Sequence, residues 1–142
     1  MSTVWRRRLV LLSAVAAGGG IGACARYATI EAWRAPVDVF DWPIFVINVV
    51  GCVLIGCVTQ VCAHRGWRTL QAFAGVGVLG GFTTFSGYAV HLHAALSTDL
   101  LGALAYLFAT PIAALAATGA GLAATSAALR RWSGSNDARV AS

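Results

Sequence analysis

The residues of this chain best suited to chemistry stand in one run, Gly80-Gly81-Phe82-Thr83-Thr84-Phe85-Ser86, with Tyr88 close behind. Paired glycines followed by hydroxyls favour a break in a helix, and a helix that stops there ends in carbonyls without partners. Such carbonyls attract a cation, as in the discontinuous helices of transporters. The hydroxyls of Thr84 and Ser86 can donate to an anion, and the rings of Phe85 and Tyr88 present weakly positive edges. A packing kink, with its hydroxyls bonded back to carbonyls one turn earlier, accounts for the same residues. No charged residue lies between Arg68 and Asp99, and Thr83 and Thr84 sit at the middle of that uncharged span. The cluster is therefore expected to break a third helix near the bilayer centre, where irregular backbone is tolerated only when buried or lining a cavity.

Polar residues elsewhere are few. Asn48 is an amide ringed by Phe45, Val46, Ile47, Val49 and Val50, and it can serve as interhelical glue or as a donor facing an anion in a pore. Tyr106 and Thr110 fall four apart, on one face of a helix otherwise built from Ala, Leu and Gly. Arg26 follows Gly18-Gly19-Gly20-Ile21-Gly22 closely enough that it must anchor at the interface, snorkel outward, or meet a partner or an anion. Gly18 and Gly22 form a small-xxx-small pair that admits a close helix neighbour.

The elements that position these residues follow from composition. The chain is 58% hydrophobic and 11% charged over 142 residues, with mean hydropathy +0.75, which is too apolar for a soluble domain of this size. Cutting it at its charges leaves four apolar stretches, Leu9 to Ala25, Pro43 to Ala63, Leu70 to Leu96 and Leu100 to Leu129. Each reaches the roughly 17 to 25 residues that a spanning helix needs. The expected protein is all-α, with a basic N-terminus at 1–8, a four-helix membrane domain at 9–132 and a polar, disordered tail at 133–142. Pro43 suits the first turn of the second helix. All five tryptophans lie between or outside the apolar stretches, as an aromatic belt requires. Arg6, Arg7, Arg8, Arg65, Arg68, Arg130, Arg131 and Arg139 share one side of such a chain, leaving Arg26 and Arg34 on the other. This bias makes both termini cytoplasmic in a plasma membrane and faces the segment from Glu31 to Asp41 outward. The net charge of +5 then reports topology and not nucleic-acid binding.

Cys24, Cys52, Cys57 and Cys62 lack the spacing and histidine neighbours of a zinc site and read as small packing residues. Arg6 to Arg8 before an apolar run, with Ile21-Gly22-Ala23-Cys24, imitates a lipoprotein signal. Cleavage there would remove a helix with its own packing surface, so a retained helix is the expected reading.

Taken in order, the motifs resemble the Fluc fluoride channel family, also called CrcB. The carrying residues are the string from Gly18 through Arg26 and Tyr27, Asn48-Val49-Val50-Gly51-Cys52, the Gly80 to Ser86 run, and Tyr106. The resemblance covers nearly the whole chain. It implies an antiparallel dual-pore dimer that passes fluoride out of the cytoplasm passively and lowers its toxicity, with a structural, untransported sodium ion at the dimer centre. It implies that the backbone carbonyls of Gly80 and Thr83 bind that sodium. It places Asn48, Phe85, Tyr88, Thr84, Ser86, Tyr106 and Thr110 along the fluoride pore, with Arg26 at a vestibule or as an anchor. A small hydrated anion needs a donor at each step to replace lost water, and no cation strong enough to trap it.

The chain departs from that pattern at three positions: Tyr88 aligns with the family's second pore phenylalanine, Ala114 with the last hydroxyl of the track, and His91 with a common glutamate. Together with the arginine bias, which disfavours insertion in both orientations, these imply a heterodimer with a second, oppositely biased Fluc-like subunit. A non-conducting partner subunit is the alternative. A small multidrug exporter needs an intramembrane carboxylate, yet Glu31, Asp38, Asp41, Asp99 and Asp137 all lie outside the predicted cores. An intramembrane hydrolase pairing Ser86 with His91 or His93 has no motif to fix its geometry, so no enzyme is expected.

Overall fold

The computed structural model describes the backbone over residues 3–33 and 40–140, and side-chain surroundings over the same residues as far as 133. Arg34 and Asp38 of the outward segment lie outside the described residues. Every described element is helical, and four helices are long and apolar enough to cross a membrane: Thr3–Ala32, Trp42–Arg65, Arg68–Ala95 and Leu100–Ser133. The chain is a multi-pass membrane protein.

The first span is α1 (Thr3–Ala32) and the second is α2 (Trp42–Arg65). Pro43 falls in the first turn of α2, where it forfeits no helical bond, and the Asp41 carboxylate caps that turn by accepting from the Ile44 amide at 2.9 Å. Gly66 ends α2 in the left-handed conformation at φ 68°, which only glycine adopts without strain, and the chain turns back there. The last span belongs to α6 (Leu100–Val140), opened by Asp99, whose carboxylate accepts from the Leu101 and Gly102 amides at 3.1 Å each. Its backbone stays helical through Val140, across the stretch that composition marks as a polar tail.

The third span is composite: α3 (Arg68–Leu70), a π-helical segment (Gln71–Leu79), α4 (Gly80–Phe82) and α5 (Phe85–Ala95). Gly80 is helical at φ −66°, ψ −33°. The residues that leave helical geometry are Thr83, at φ −72°, ψ 155°, and Thr84, at φ −144°, ψ 122°. The extended residues are thus hydroxyl-bearing members of the Gly80 to Ser86 run, while its paired glycines stay helical. The glycines instead shape a packing seam. A Cβ at Gly22 would strike the Val78 carbonyl and one at Gly18 the Phe73 carbonyl, while a Cβ at Gly77 would come within 2.9 Å of the Gly18 Cα. A second seam joins α2 to α6, where a Cβ at Gly56 would meet the Thr118 carbonyl. Without a hydrophobic driving force inside lipid, such close backbone approach is a principal source of helix association.

The third span changes neighbours along its length. Its π-helical segment and α4 pack on α1, whereas α5 packs on α6, and α2 borders all of them. Ile44, Tyr88 and Tyr106 form a buried apolar cluster at the meeting of α2, α5 and α6.

The seam yields a direct test. Gly22→Ala is expected to lower stability by about 1–3 kcal/mol through overpacking, whereas Gly20→Ala, with nothing within 4 Å of the added carbon, should change it little. Thermal unfolding of both variants in detergent checks the contrast.

Candidate functional site

The interruption at Thr83 and Thr84 exposes backbone groups that a continuous helix would pair internally, and a single side chain resolves most of that problem. Asn48 donates from Nδ2 to the Thr84 carbonyl at 3.0 Å, and its Oδ1 accepts from the Thr84 amide at 2.8 Å. Both residues are buried, at 7% and 8% exposure, so neither Thr84 group could turn to solvent instead. The interhelical-glue reading of Asn48 therefore describes two of its bonds. Because an amide nitrogen carries two hydrogens, one remains beyond the clamp.

The threonine hydroxyls have different jobs. Thr83 Oγ1 donates back to the Leu79 carbonyl at 3.0 Å, the local bond that a kink would use. Thr84 Oγ1 caps α5 by accepting from the Gly87 amide at 3.1 Å, and it lies 3.3 Å from Ser86 Oγ. These bonds leave a consequence on the preceding turn. The amide that would close a helical ring onto the Gly80 carbonyl belongs to Thr84 and is given to Asn48; the one for the Thr83 carbonyl belongs to Gly87 and is given to Thr84 Oγ1. Both carbonyls lose their regular helical donors. The Gly81 carbonyl between them accepts from Arg26 Nε at 3.2 Å, so Arg26 meets a backbone partner on another span.

A row of rings runs from this cluster toward α6. The Phe85 and Tyr88 ring centroids are 5.7 Å apart, and those of Tyr88 and Tyr106 are 5.1 Å apart. Phe85 is 80% exposed on the single chain, while Tyr88 and Tyr106 are buried. The Tyr88 hydroxyl donates to the Leu107 carbonyl at 2.8 Å. Tyr106 and Thr110, predicted as a short polar line, are both buried, and their hydroxyls have no hydrogen-bond partner among the described residues. Buried hydroxyls left unpaired are unusual enough to require a ligand or an equivalent explanation.

The structure thus joins Asn48, Thr84 and Ser86 in one hydrogen-bonded group and Phe85, Tyr88 and Tyr106 in one row of rings, with Thr110 a turn beyond Tyr106. Two contributors escaped sequence reasoning. Phe40 packs edge-on against Tyr106 at 4.9 Å, and Asp41 Oδ2 lies 3.5 Å from His91 Nδ1, beside the same ring. Asp41 carried a signal, since it directly precedes Trp42-Pro43 as a helix cap; its reach to His91 depends on tertiary packing that no local pattern encodes.

Comparison with known proteins identifies relatives. The family described as CrcB-like protein, Camphor Resistance (CrcB), matches residues 13–122. The chain is 46% identical over 116 residues to Fluoride-specific ion channel FluC 1 of Streptomyces coelicolor, covering 80% of this chain and 75% of that one. It is 45% identical over 128 residues to Fluoride-specific ion channel FluC 2 of Nocardia farcinica, covering 84% and 91%. With Fluoride-specific ion channel FluC of Caulobacter vibrioides it shares 41% over 113 residues, covering 76% and 89%.

The Asn48 clamp can be tested by itself. Asn48→Ala strands a buried amide and a buried carbonyl of Thr84, at about 1–3 kcal/mol each. Asn48→Asp keeps the acceptor and loses the donor, so its loss of stability should be distinct from that of alanine; unfolding midpoints in detergent, compared across the two, check this.

Proposed function

Because this chain belongs to the CrcB family, we propose that it is a subunit of a fluoride-specific ion channel that lets fluoride leave the cytoplasm down its gradient. The observation that carries this reading is the pair of buried, unpartnered hydroxyls on Tyr106 and Thr110 beside a row of aromatic edges. A dehydrated fluoride would accept from those hydroxyls and lie against positive ring edges. Asn48 has an amide hydrogen beyond its clamp, and Ser86, near Thr84 Oγ1, adds a hydroxyl at the Phe85 end. Arg26, the arginine that the resemblance places at a vestibule or as an anchor, donates to the Gly81 carbonyl and is not among the residues of that row. Such a path moves the ion passively and needs no chemical step.

A structural sodium ion fits the donor set. The Gly80 and Thr83 carbonyls, deprived of their helical donors, are the hard oxygen ligands that such an ion takes from unwound membrane helices. When bound, the ion would supply the positive charge that these carbonyl dipoles otherwise face unpaired. Two carbonyls from one chain make a partial set, so a second subunit completes it, and the reading favours an antiparallel dual-pore dimer. The third helix would then cross the bilayer centre at its extended threonines. Glu31, Asp41 and Asp99 lie at helix ends, which keeps the multidrug-exporter reading without its carboxylate.

The second subunit is proposed to be a different, oppositely biased chain. The excess of arginine at Arg6 to Arg8, Arg65, Arg68, Arg130, Arg131 and Arg139 holds both termini of this chain in the cytoplasm, and an antiparallel partner must insert the other way. Tyr88, His91, which lies beside Asp41 and the Tyr106 ring, and Ala114 beyond Thr110 are the positions where this subunit departs from the family pattern. That divergence also favours a second reading, in which this chain assembles the channel while its partner lines the conducting pore.

Fluoride efflux from liposomes, followed with a fluoride electrode, tests these points. Efflux is expected when the chain is reconstituted with its partner, and none from the chain alone; sodium-dependent efflux from the chain alone overturns the heterodimer, and no efflux in either case overturns the channel. In the conducting assembly Phe85→Ile should reduce flux to background while assembly, read by size-exclusion chromatography, is unchanged. Loss of assembly instead would make Phe85 a packing residue.

A further inference from the structure

Pro111 stands inside α6, four residues after Leu107. Proline has no amide hydrogen, so it cannot give the Leu107 carbonyl the bond that helical carbonyls receive from four residues on. A carbonyl opened in this way inside a membrane protein needs a replacement donor, which a neighbouring helix can supply. The Tyr88 hydroxyl donates to this carbonyl, at 2.8 Å and from a different span. The phenol therefore reaches the one carbonyl of α6 whose helical partner is a proline. Tyr88 is also 6% exposed, so its hydroxyl has no solvent to fall back on.

We propose that Tyr88 and Pro111 form a single positioning device, in which proline opens the Leu107 carbonyl and the Tyr88 hydroxyl closes it, fixing α5 against α6 and holding the Tyr88 ring between Phe85 and Tyr106. The consequence for ion passage rests on the fluoride reading above; the device itself does not. With its hydroxyl spent on backbone, Tyr88 offers a passing anion only a ring edge, the same surface a phenylalanine would offer. The donor role falls to Tyr106 and Thr110, whose hydroxyls are unpaired. Tyrosine at 88 is then a requirement set by residue 111. A phenylalanine there would keep the ring and strand the carbonyl.

The device predicts a coupling between two residues that stand on different helices. Phe108 is the only phenylalanine preceded by leucine, so protein carrying carbonyl-13C leucine and 15N phenylalanine reports a single amide-to-carbonyl correlation, that of Leu107. In the intact assembly, Tyr88→Phe should move the Leu107 carbonyl resonance upfield as its hydrogen bond is lost. In a Pro111→Ala background the alanine amide supplies the helical donor, so the same Tyr88→Phe change leaves the carbonyl with a partner and should move the resonance distinctly less. Fluoride flux should follow the same pattern, with Tyr88→Phe lowering it about tenfold when the proline is present and little in the Pro111→Ala background. An unmoved resonance on Tyr88→Phe, or equal shifts in both backgrounds, overturns the proposal. A flux loss that persists in the Pro111→Ala background also overturns it, by making the hydroxyl a direct fluoride donor. If no variant carries fluoride while the resonance behaves as described, the positioning device stands and the channel reading falls. Should Pro111→Ala fail to assemble, Tyr88→Phe alone still decides, since an unmoved Leu107 resonance is incompatible with the bond.

Discussion

The two hydrogen bonds between the Asn48 amide and the backbone of Thr84 are the constraint on which the rest of the site depends. Extended backbone inside a membrane bundle strands an amide and a carbonyl, and lipid offers nothing to satisfy them. Asn48 supplies both partners from one side chain, in the manner of a single rung of β-ladder. Once Thr84 is held this way, its amide is no longer available to Gly80, and its hydroxyl is positioned to cap α5 and to draw the Gly87 amide away from Thr83. A clamp on one residue thereby frees carbonyls on two others and starts a new helix. An amide is suited to this task because it carries its donor and its acceptor on two separate atoms; an ionised carboxylate has no donor, and a hydroxyl holds both on one atom.

The clamp needs a rigid surround, and the glycine seams provide it. Gly18 and Gly22 of α1 lie directly on the backbone of the π-helical segment and α4, while Gly56 and Gly121 bring α2 and α6 equally close. These contacts fix the turn just before the extended threonines, so the interruption occurs between held ends. Gly51 adds a direct link, because a Cβ there would run into the Thr83 side chain. The small residues of α2 and the clamp on α2 thus act on the same two threonines.

Much of this was legible in the sequence because membrane helices announce themselves through uninterrupted apolar length. The charges at Arg65, Arg68 and Asp99 delimit spans whose observed ends fall within a few residues of those positions, and the cap at Asp41 and the turn at Gly66 follow local rules. The face shared by Tyr106 and Thr110 was also legible, from spacing alone. Which residues of the Gly80 to Ser86 run leave the helix was not. Glycine is permissive and does not dictate a break, so Gly80 and Gly81 remain helical, Gly81 lying against Gly19 of α1, and the chain departs at Thr83 and Thr84, where Asn48 binds the Thr84 backbone. The π-helical segment left no trace in apolar periodicity, since every residue from Ala72 to Leu79 is apolar or glycine. Pro111 is plain in the sequence, but its partner on another span appears only when α5 and α6 are placed together.

The third span's change of neighbours divides it into parts with different mechanical ties. Its π-helical segment and α4 are bound into the seam with α1, whereas α5 is held to α6 through the rings and the Tyr88 hydroxyl, with the extended threonines between them. The ladder of helical bonds is interrupted at that point. The span is thus two helical pieces with separate attachments, and the carbonyls of Gly80 and Thr83 lie at the junction between them.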